Sequence, residues 1–163
     1  MNTVLLQSEG MNELYAVLSP ELRMELAKHE QSMTVPAGTR LITRGVLPEQ
    51  LVIVNSGKVQ ITVDCVRNSA VLDVPANGKV FGMRAVISGE LPEADIISKE
   101  NCRITLISRN VFLEIVRQYP QIYFAIAKVL SNDLVMAQRF LKTSSRRSRA
   151  MRSTTGSLLS WPQ

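Results

Sequence analysis

Three hydrophobic patterns follow one another along the chain. Leu14, Tyr15 and Leu18 recur at helical spacing after Met11. "SPEL" at Ser19–Leu22 then reads as a helix start. Ser19 can cap, Pro20 suits the first helical position, and Glu21 faces the positive end of the dipole. The first thirty residues are thus expected to form two short helices, ending near Glu30.

From Ser32 to Ile107 the pattern turns to short β-rich runs punctuated by glycine or asparagine: "MTV", "RLIT", "LVIV", "KVQITVD", "AVLDV", "KVF", "ADIIS" and "CRITLI". "LVIVNSGKVQITV" reads as a hairpin turning at Asn55-Ser56-Gly57. After the turn, Val59, Ile61 and Val63 alternate with Lys58, Gln60, Thr62 and Asp64, which puts one face on a core and the other in water. Many short antiparallel strands joined by tight turns indicate a sandwich or roll.

Helical spacing returns at "SRNVFLEIVRQYP". Ser108 stands at the cap, Val111, Phe112, Ile115 and Val116 share one side, and Pro120 ends the helix. A longer helix is expected from about Gln121 to Lys142. Tyr123, Ala127, Leu130, Leu134, Ala137 and Leu141 form one apolar series along it; Ile122, Ile126, Val129, Met136 and Phe140 nearly form a second, broken by Asp133. One stripe can cover the roll. The second needs another partner, and the same helix of a second subunit supplies one at least cost. The alternative is one broad face packed within its own domain. The fold class is therefore α+β: an antiparallel β-roll (jelly roll) flanked by N-terminal helices and a long C-terminal dimerisation helix.

Composition adds three constraints. The 163 residues carry 45% hydrophobic and 20% charged side chains, an ordinary globular balance. No apolar run approaches the ~20 residues of a membrane span, and the N-terminus has no signal-type pattern, so cytoplasm is the expected compartment. Cys65 and Cys102 are too few for a disulfide framework and read as small buried hydrophobes, with a redox pair as the alternative.

The net charge of +5 sits at one end. Arg139, Lys142, Arg146, Arg147, Arg149 and Arg152 lie in a final stretch without an acid, leaving residues 1–138 near neutral. The Ser/Thr/Arg-rich segment from Ser144 to Thr155 reads as disordered, dividing a domain of residues 1–142 from a basic tail of residues 143–163. "RRSRAMR" could neutralise a few phosphates non-specifically. Trp161, in "SLLSWPQ", is either part of a docking peptide or without a role.

Five pieces in order now resemble one family: "VPAGTRLITRG", "LVIVNSGKV", "VFGMRAV", "CRITLISRNVF" and Pro120. They are similar to the cyclic-nucleotide-binding domain, as found in catabolite-activator-like bacterial regulators and in regulatory subunits of cyclic-nucleotide-dependent kinases. The likeness covers roughly Leu14 to Leu141. It implies that "FGMRAVISGELPEADI" corresponds to the phosphate-binding cassette. In the family, backbone N–H groups point at the cyclic phosphate, an arginine grips it with its fork, and a glutamate accepts from the ribose 2′-hydroxyl.

By this resemblance Phe81 and Gly82 open the cassette, and Ala85 is a small residue in its turn. The glutamate position falls on Met83, the arginine position on Glu93, and the following small polar residue on Ala94. A thioether makes no useful acceptor for the ribose, and Glu93 repels a phosphate. Losing a close charged pair costs ~2–5 kcal/mol, more than tenfold in affinity at ~1.4 kcal/mol per decade. Cyclic AMP, cyclic GMP or a cyclic dinucleotide is therefore a weakened ligand. Arg84 and Glu93 either pair across the cassette and fill the ligand space, or stand as two solvated charges. Gln138 on the long helix either reaches a base edge or is an exposed amide.

Other chemistries lack residues. His29 is the single histidine, too few for a cupin-type metal site, and no serine or cysteine is read as its partner for triad chemistry; near a helix end it reads as a dipole-complementing surface residue. No full P-loop or dinucleotide glycine pattern occurs. The family's transcription factors carry a helix-turn-helix after the long helix, and the 22 residues beyond Leu141 are too few for one. The expected function is that of a non-enzymatic regulatory or sensor module signalling through its long helix. The alternative is a ligand-free scaffold that binds a protein partner, or nucleic acid through its basic tail.

Overall fold

The computed structural model describes residues 11–64 and 69–155, with side chains as far as residue 142 apart from residue 140. Cys65 and Trp161 lie outside the described residues. The chain divides into two units, Met1–Leu130 and Ser131–Gln163.

A single 3-10 turn at Tyr15–Val17, in place of the first expected helix, precedes α1 (Pro20–Ala27). Leu14 and Leu18 are nevertheless buried, because the turn needs only those two anchors. Ser19 caps α1, its hydroxyl accepting from the Leu22 N–H at 3.4 Å. Eight strands follow: β1 (Glu30–Val35), β2 (Arg40–Ile42), β3 (Gln50–Ser56), β4 (Lys58–Asp64), β5 (Ser69–Pro75), β6 (Lys79–Phe81), β7 (Ala94–Ser98) and β8 (Cys102–Ser108). Between β6 and β7 sits α2 (Met83–Ser88). After β8 come α3 (Arg109–Gln118) and α4 (Ile122–Thr155).

The strands form two antiparallel four-stranded sheets, ordered β1-β8-β3-β6 and β2-β7-β4-β5. Glu30 stands opposite Ile107, and Val59 opposite Ser98. The architecture is the expected α+β antiparallel β-roll with flanking helices.

The β3–β4 segment corrects the hairpin reading. β3 pairs with β6 and β8, whereas β4 pairs with β5 and β7, so the chain leaves one sheet for the other between them. Gly57 makes this corner at a φ of 126°. Alternation with a glycine turn is common to a hairpin and a sheet-to-sheet crossing, which is why the pattern alone did not separate them.

One face of the first sheet carries the main core. Leu51, Ile53, Val80 and Ile107 meet Leu22 and Leu26 of α1, Phe112, Ile115 and Val116 of α3, and Ile122, Ala125, Ile126 and Val129 of α4. Each large apolar side chain buried this fully contributes about 1.5–3 kcal/mol relative to exposure. Val52, Val54 and Ile104, at alternate positions, are buried inside the roll. Ser108 occupies the N-cap position of α3 but makes no side-chain cap bond.

The two apolar series of α4 have different fates. Ile122, Ile126 and Val129 are buried, while Tyr123, Phe124, Leu134 and Leu141 are exposed. The helix also continues to Thr155, across the segment expected to be disordered. Residues 144–155 contain neither glycine nor proline. Serine and threonine cost only a few tenths of a kcal/mol each relative to better helix formers, and extending an existing helix avoids the cost of nucleation. Among the described residues, no helix is long and apolar enough to cross a membrane.

Candidate functional site

β6 delivers the chain to Gly82, whose φ of 85° places it in the left-handed region. A Cβ there would also stand 3.2 Å from Ile42 Cδ1 and 3.7 Å from Pro48 Cγ, so both conformation and space call for glycine. α2 runs from Met83 to Ser88 and is capped by Gly89, again left-handed at 74°. A strand, a short helical turn and a strand thus make up the segment from Phe81 to Ile97.

Side chains along it point in different directions. Phe81 and Ala85 are buried. Met83 is 1% exposed and packs in the same core as Phe112 and Leu26. The position expected to hold the ribose therefore works as a core anchor. The Glu93 side chain is 82% exposed. Ala94 opens β7 and is half-buried. Gln138 lies on α4 in the second unit, exposed. The segment thus gathers Phe81, Gly82, Met83, Arg84, Ala85, Glu93 and Ala94, with Gln138 on a separate element.

Arg84 does approach Glu93, with Nη2 3.9 Å from Oε1. Its closer partner is Glu90, whose Oε2 accepts from Nη1 at 2.8 Å. Both pairs are solvent-exposed, where such contacts contribute at most ~1 kcal/mol. Spacing did not reveal Glu90, because it lies past Gly89, where helical register no longer applies. The Ser88 hydroxyl steadies this end by donating to Arg84 O at 2.9 Å and accepting from the Glu90 N–H at 3.1 Å.

A second charged network adjoins the far end of the segment, unanticipated because its members are distant in sequence. Asp95 accepts from Arg40 Nη1 at 2.6 Å and from the Arg44 N–H at 3.0 Å, while the Arg44 guanidinium pairs with Asp64. The Arg44 N–H is the chief cause holding the Asp95 carboxyl below its ordinary range; the Arg44 side chain does the same for Asp64, helped by the Ser69 hydroxyl. Folding therefore favours the charged carboxylates. Their contribution is present above the unfolded carboxylate range near pH ~4 and is lost as pH falls through the lower folded values. We expect Asp95→Asn to flatten the acid limb of stability measured by urea unfolding between about pH 5 and pH 2. An unchanged limb would remove Asp95 from this account.

The roll interior beside this segment holds a cavity of about 400 Å³. Its lining is mainly apolar, including Met33, Val35, Ile42, Val52 and Ile104, with Arg40 among the polar residues. Ile42 and Pro48 line it and also approach the position of Gly82, so the cavity reaches the turn that opens α2. His29 stands 3.8 Å from Glu25 on the surface, just past α1, in keeping with a dipole-complementing role. Cys102 is buried, donating weakly to Lys58 O and Glu100 O at 3.4 Å each. Burial is the first cause raising its pKa, as expected of an unreactive thiol.

Residues 32–119, more than half of the chain, match the family of the cyclic nucleotide-binding domain, and the chain belongs to that family. Its β-roll is a regulatory or sensor fold of that class. Among curated proteins it is similar to the Pycsar effector protein XpPycTIR of Xanthomonas perforans, at 30% identity over 146 residues, covering 80% of this chain and 47% of the relative. The chain thus spans about half the length of the curated relative it matches.

Among solved structures it resembles the catabolite activator protein of Thermus thermophilus, with a TM-score of 0.66 at 23% identity over 82% of this chain and 63% of that one. A cyclic nucleotide-binding domain from Methylobacillus flagellatus gives 0.64 at 18% identity, covering 95% and 86%. The regulatory domain of Toxoplasma gondii PKA, solved with cAMP, gives 0.57 at 25% identity, covering 64% and 40%.

Proposed function

We propose that the chain is a non-enzymatic regulatory module of the cyclic nucleotide-binding class with a degenerate phosphate-binding cassette. One observation carries the reading. Gly82 and Ala85 keep the turn, while Met83 is committed to the core and Glu93 stands in solvent beside Arg84. The frame for a cyclic phosphate persists without its anionic ribose holder or its cationic phosphate holder. A cyclic nucleotide held in the family pose binds weakly, and the domain's state is set by whatever distinguishes its conformations.

The module acts in the cytoplasm as a homodimer, and its domain ends near residue 142. Signalling passes through α4, whose exposed Tyr123, Phe124, Leu134 and Leu141 supply an apolar series suited to a second copy. The non-enzymatic reading draws on the regulatory or sensor character of the fold and on the single histidine, which stands on the surface beside Glu25.

The second reading, a ligand-free scaffold, draws on the Arg84–Glu90 pair, which neutralises the cassette's cation internally. Isothermal titration with the four cyclic mononucleotides and cyclic di-GMP separates the two. Saturable heat with a Kd below ~1 mM for any of them supports the sensor. Flat traces for all leave the scaffold.

A further inference from the structure

We infer that a pocket between residues 47–50 and the start of α3 binds a small organic oxyanion, a carboxylate or a phosphate ester, with Arg109 as its anchor. The pocket measures about 510 Å³; it shares Leu47, Pro48, Glu49 and Gln50 with the apolar cavity inside the roll and is distinguished from it by Ser108, Arg109 and Asn110. Arg109, Asn110, Gln50 and Glu49 line it together with Leu47 and Pro48.

Arg109 is the distinctive member. Its Nε is buried and without a hydrogen-bond partner among the described residues. Every other arginine of the cassette neighbourhood has an acid: Arg84 has Glu90, Arg40 has Asp95, and Arg44 has Asp64. The backbone of Arg109 is fixed independently, its N–H donating to Glu49 O at 2.8 Å. The backbone at Arg109 is thus anchored, while one donor of its side chain is left over. Buried polar groups are nearly always satisfied, so an orphan donor on a side chain that lines a pocket points to an acceptor from outside the chain, reached by a small shift of that side chain.

Ligand chemistry follows from the lining. A planar guanidinium fork matches a carboxylate or phosphate, which presents two oxygens at once. Gln50 and Asn110 bring neutral amides to the same wall, and Leu47 and Pro48 bring apolar surface. The volume falls in the range of small-molecule sites, well above that of a bare ion. Glu49 is exposed at the rim; its carboxylate opposes an anion and favours a ligand with one compact anionic head.

The pocket also abuts the cassette helix at both ends. Arg109 Nη2 lies 3.9 Å from where a Cβ on Gly89 would stand, and Pro48 Cγ lies 3.7 Å from that of Gly82. An anion drawing on Arg109 would bear on α2 without occupying the cyclic-phosphate position.

The test is a titration of the full chain with succinate and, separately, with glycerol 2-phosphate, against sodium chloride at matched ionic strength. It is read from the Arg109 Nε–H resonance and from the thermal midpoint. We expect a saturable shift with a Kd of ~1 mM or tighter for one or both probes and none with sodium chloride. Which probe responds identifies the head as carboxylate or phosphate. Arg109→Gln is expected to weaken binding at least tenfold, with Arg109→Lys intermediate. Should Arg109→Gln fail to fold, Gln50→Leu, which keeps the cation and removes an amide donor, is expected to weaken binding several-fold. Shifts that never saturate, equal shifts with sodium chloride, or unchanged binding in whichever folded variant is compared overturn the proposal.

Discussion

Glu93→Arg is expected to raise affinity for cyclic AMP about thirtyfold. Glu93 projects from an exposed position just before β7, so an arginine there needs no repacking of the core. The substitution removes a like charge and supplies the fork that the family uses on its phosphate. A close charged pair brings ~2–5 kcal/mol; its low end, at ~1.4 kcal/mol per decade, gives that factor. The higher end is not reached, because Arg84 keeps Glu90 as its partner and Met83 still offers the ribose nothing. Calorimetric titration of the variant beside the parent measures the gain. No gain, in a variant whose unfolding curve matches the parent, would mean that the backbone frame itself no longer accepts the cyclic phosphate. Met83→Glu is the contrasting case: it forces a carboxylate into a fully buried core position and is expected to cost stability before it can help binding.

Gly57→Ala is expected to destabilise the fold by about 3 kcal/mol. Two effects add. A φ of 126° lies where side chains are strained, at ~1–3 kcal/mol. The new Cβ would also fall 2.5 Å from Cys102 Sγ and 3.2 Å from its Cα, on a buried strand end that cannot yield freely. Overpacking of this kind costs ~1–3 kcal/mol. For a chain of this size the thermal midpoint should fall by roughly 6–12 °C. Cys102→Ala in the same background removes the sulfur but not the backbone contact, so it should recover only part of the loss. Full recovery would assign the whole cost to the sulfur; a change within ~0.5 kcal/mol for Gly57→Ala alone would place the corner elsewhere.

How far the sequence foretold these features depended on range. Alternation and helical spacing located the strand-rich middle, α1, α3 and the start of α4, because each depends on neighbours a few residues away. The order of five motifs identified the family, because each motif is a short local run. What escaped involved distant partners or the balance of small terms. The crossing at Gly57 is decided by which strands β3 and β4 pair with, and apart from β5 these lie well beyond the local pattern, as Val54 against Ile104 and Val59 against Ser98 show. The link of Arg40 to Asp95 spans 55 residues, so no local pattern announces it. The helical course of residues 144–155 follows from the absence of breakers and from growth on an existing helix, which composition alone understated. Burial of Met83 was also hidden, because its neighbours in the core come from α1 and α3.

The strand order bears on how the chain is made. β1 has a single neighbour, β8, with Glu30 against Ile107. Its hydrogen-bonding groups must therefore wait while the ribosome adds the intervening residues, about 4–15 seconds at ~5–20 residues per second. Once made, β3, the other neighbour of β8, can pair with β6 on one edge while its other edge waits for β8. The nascent chain thus carries the unpaired β1 and one open edge of β3 until β8 emerges, and pairing of those edges between neighbouring chains on one messenger is a hazard of its synthesis.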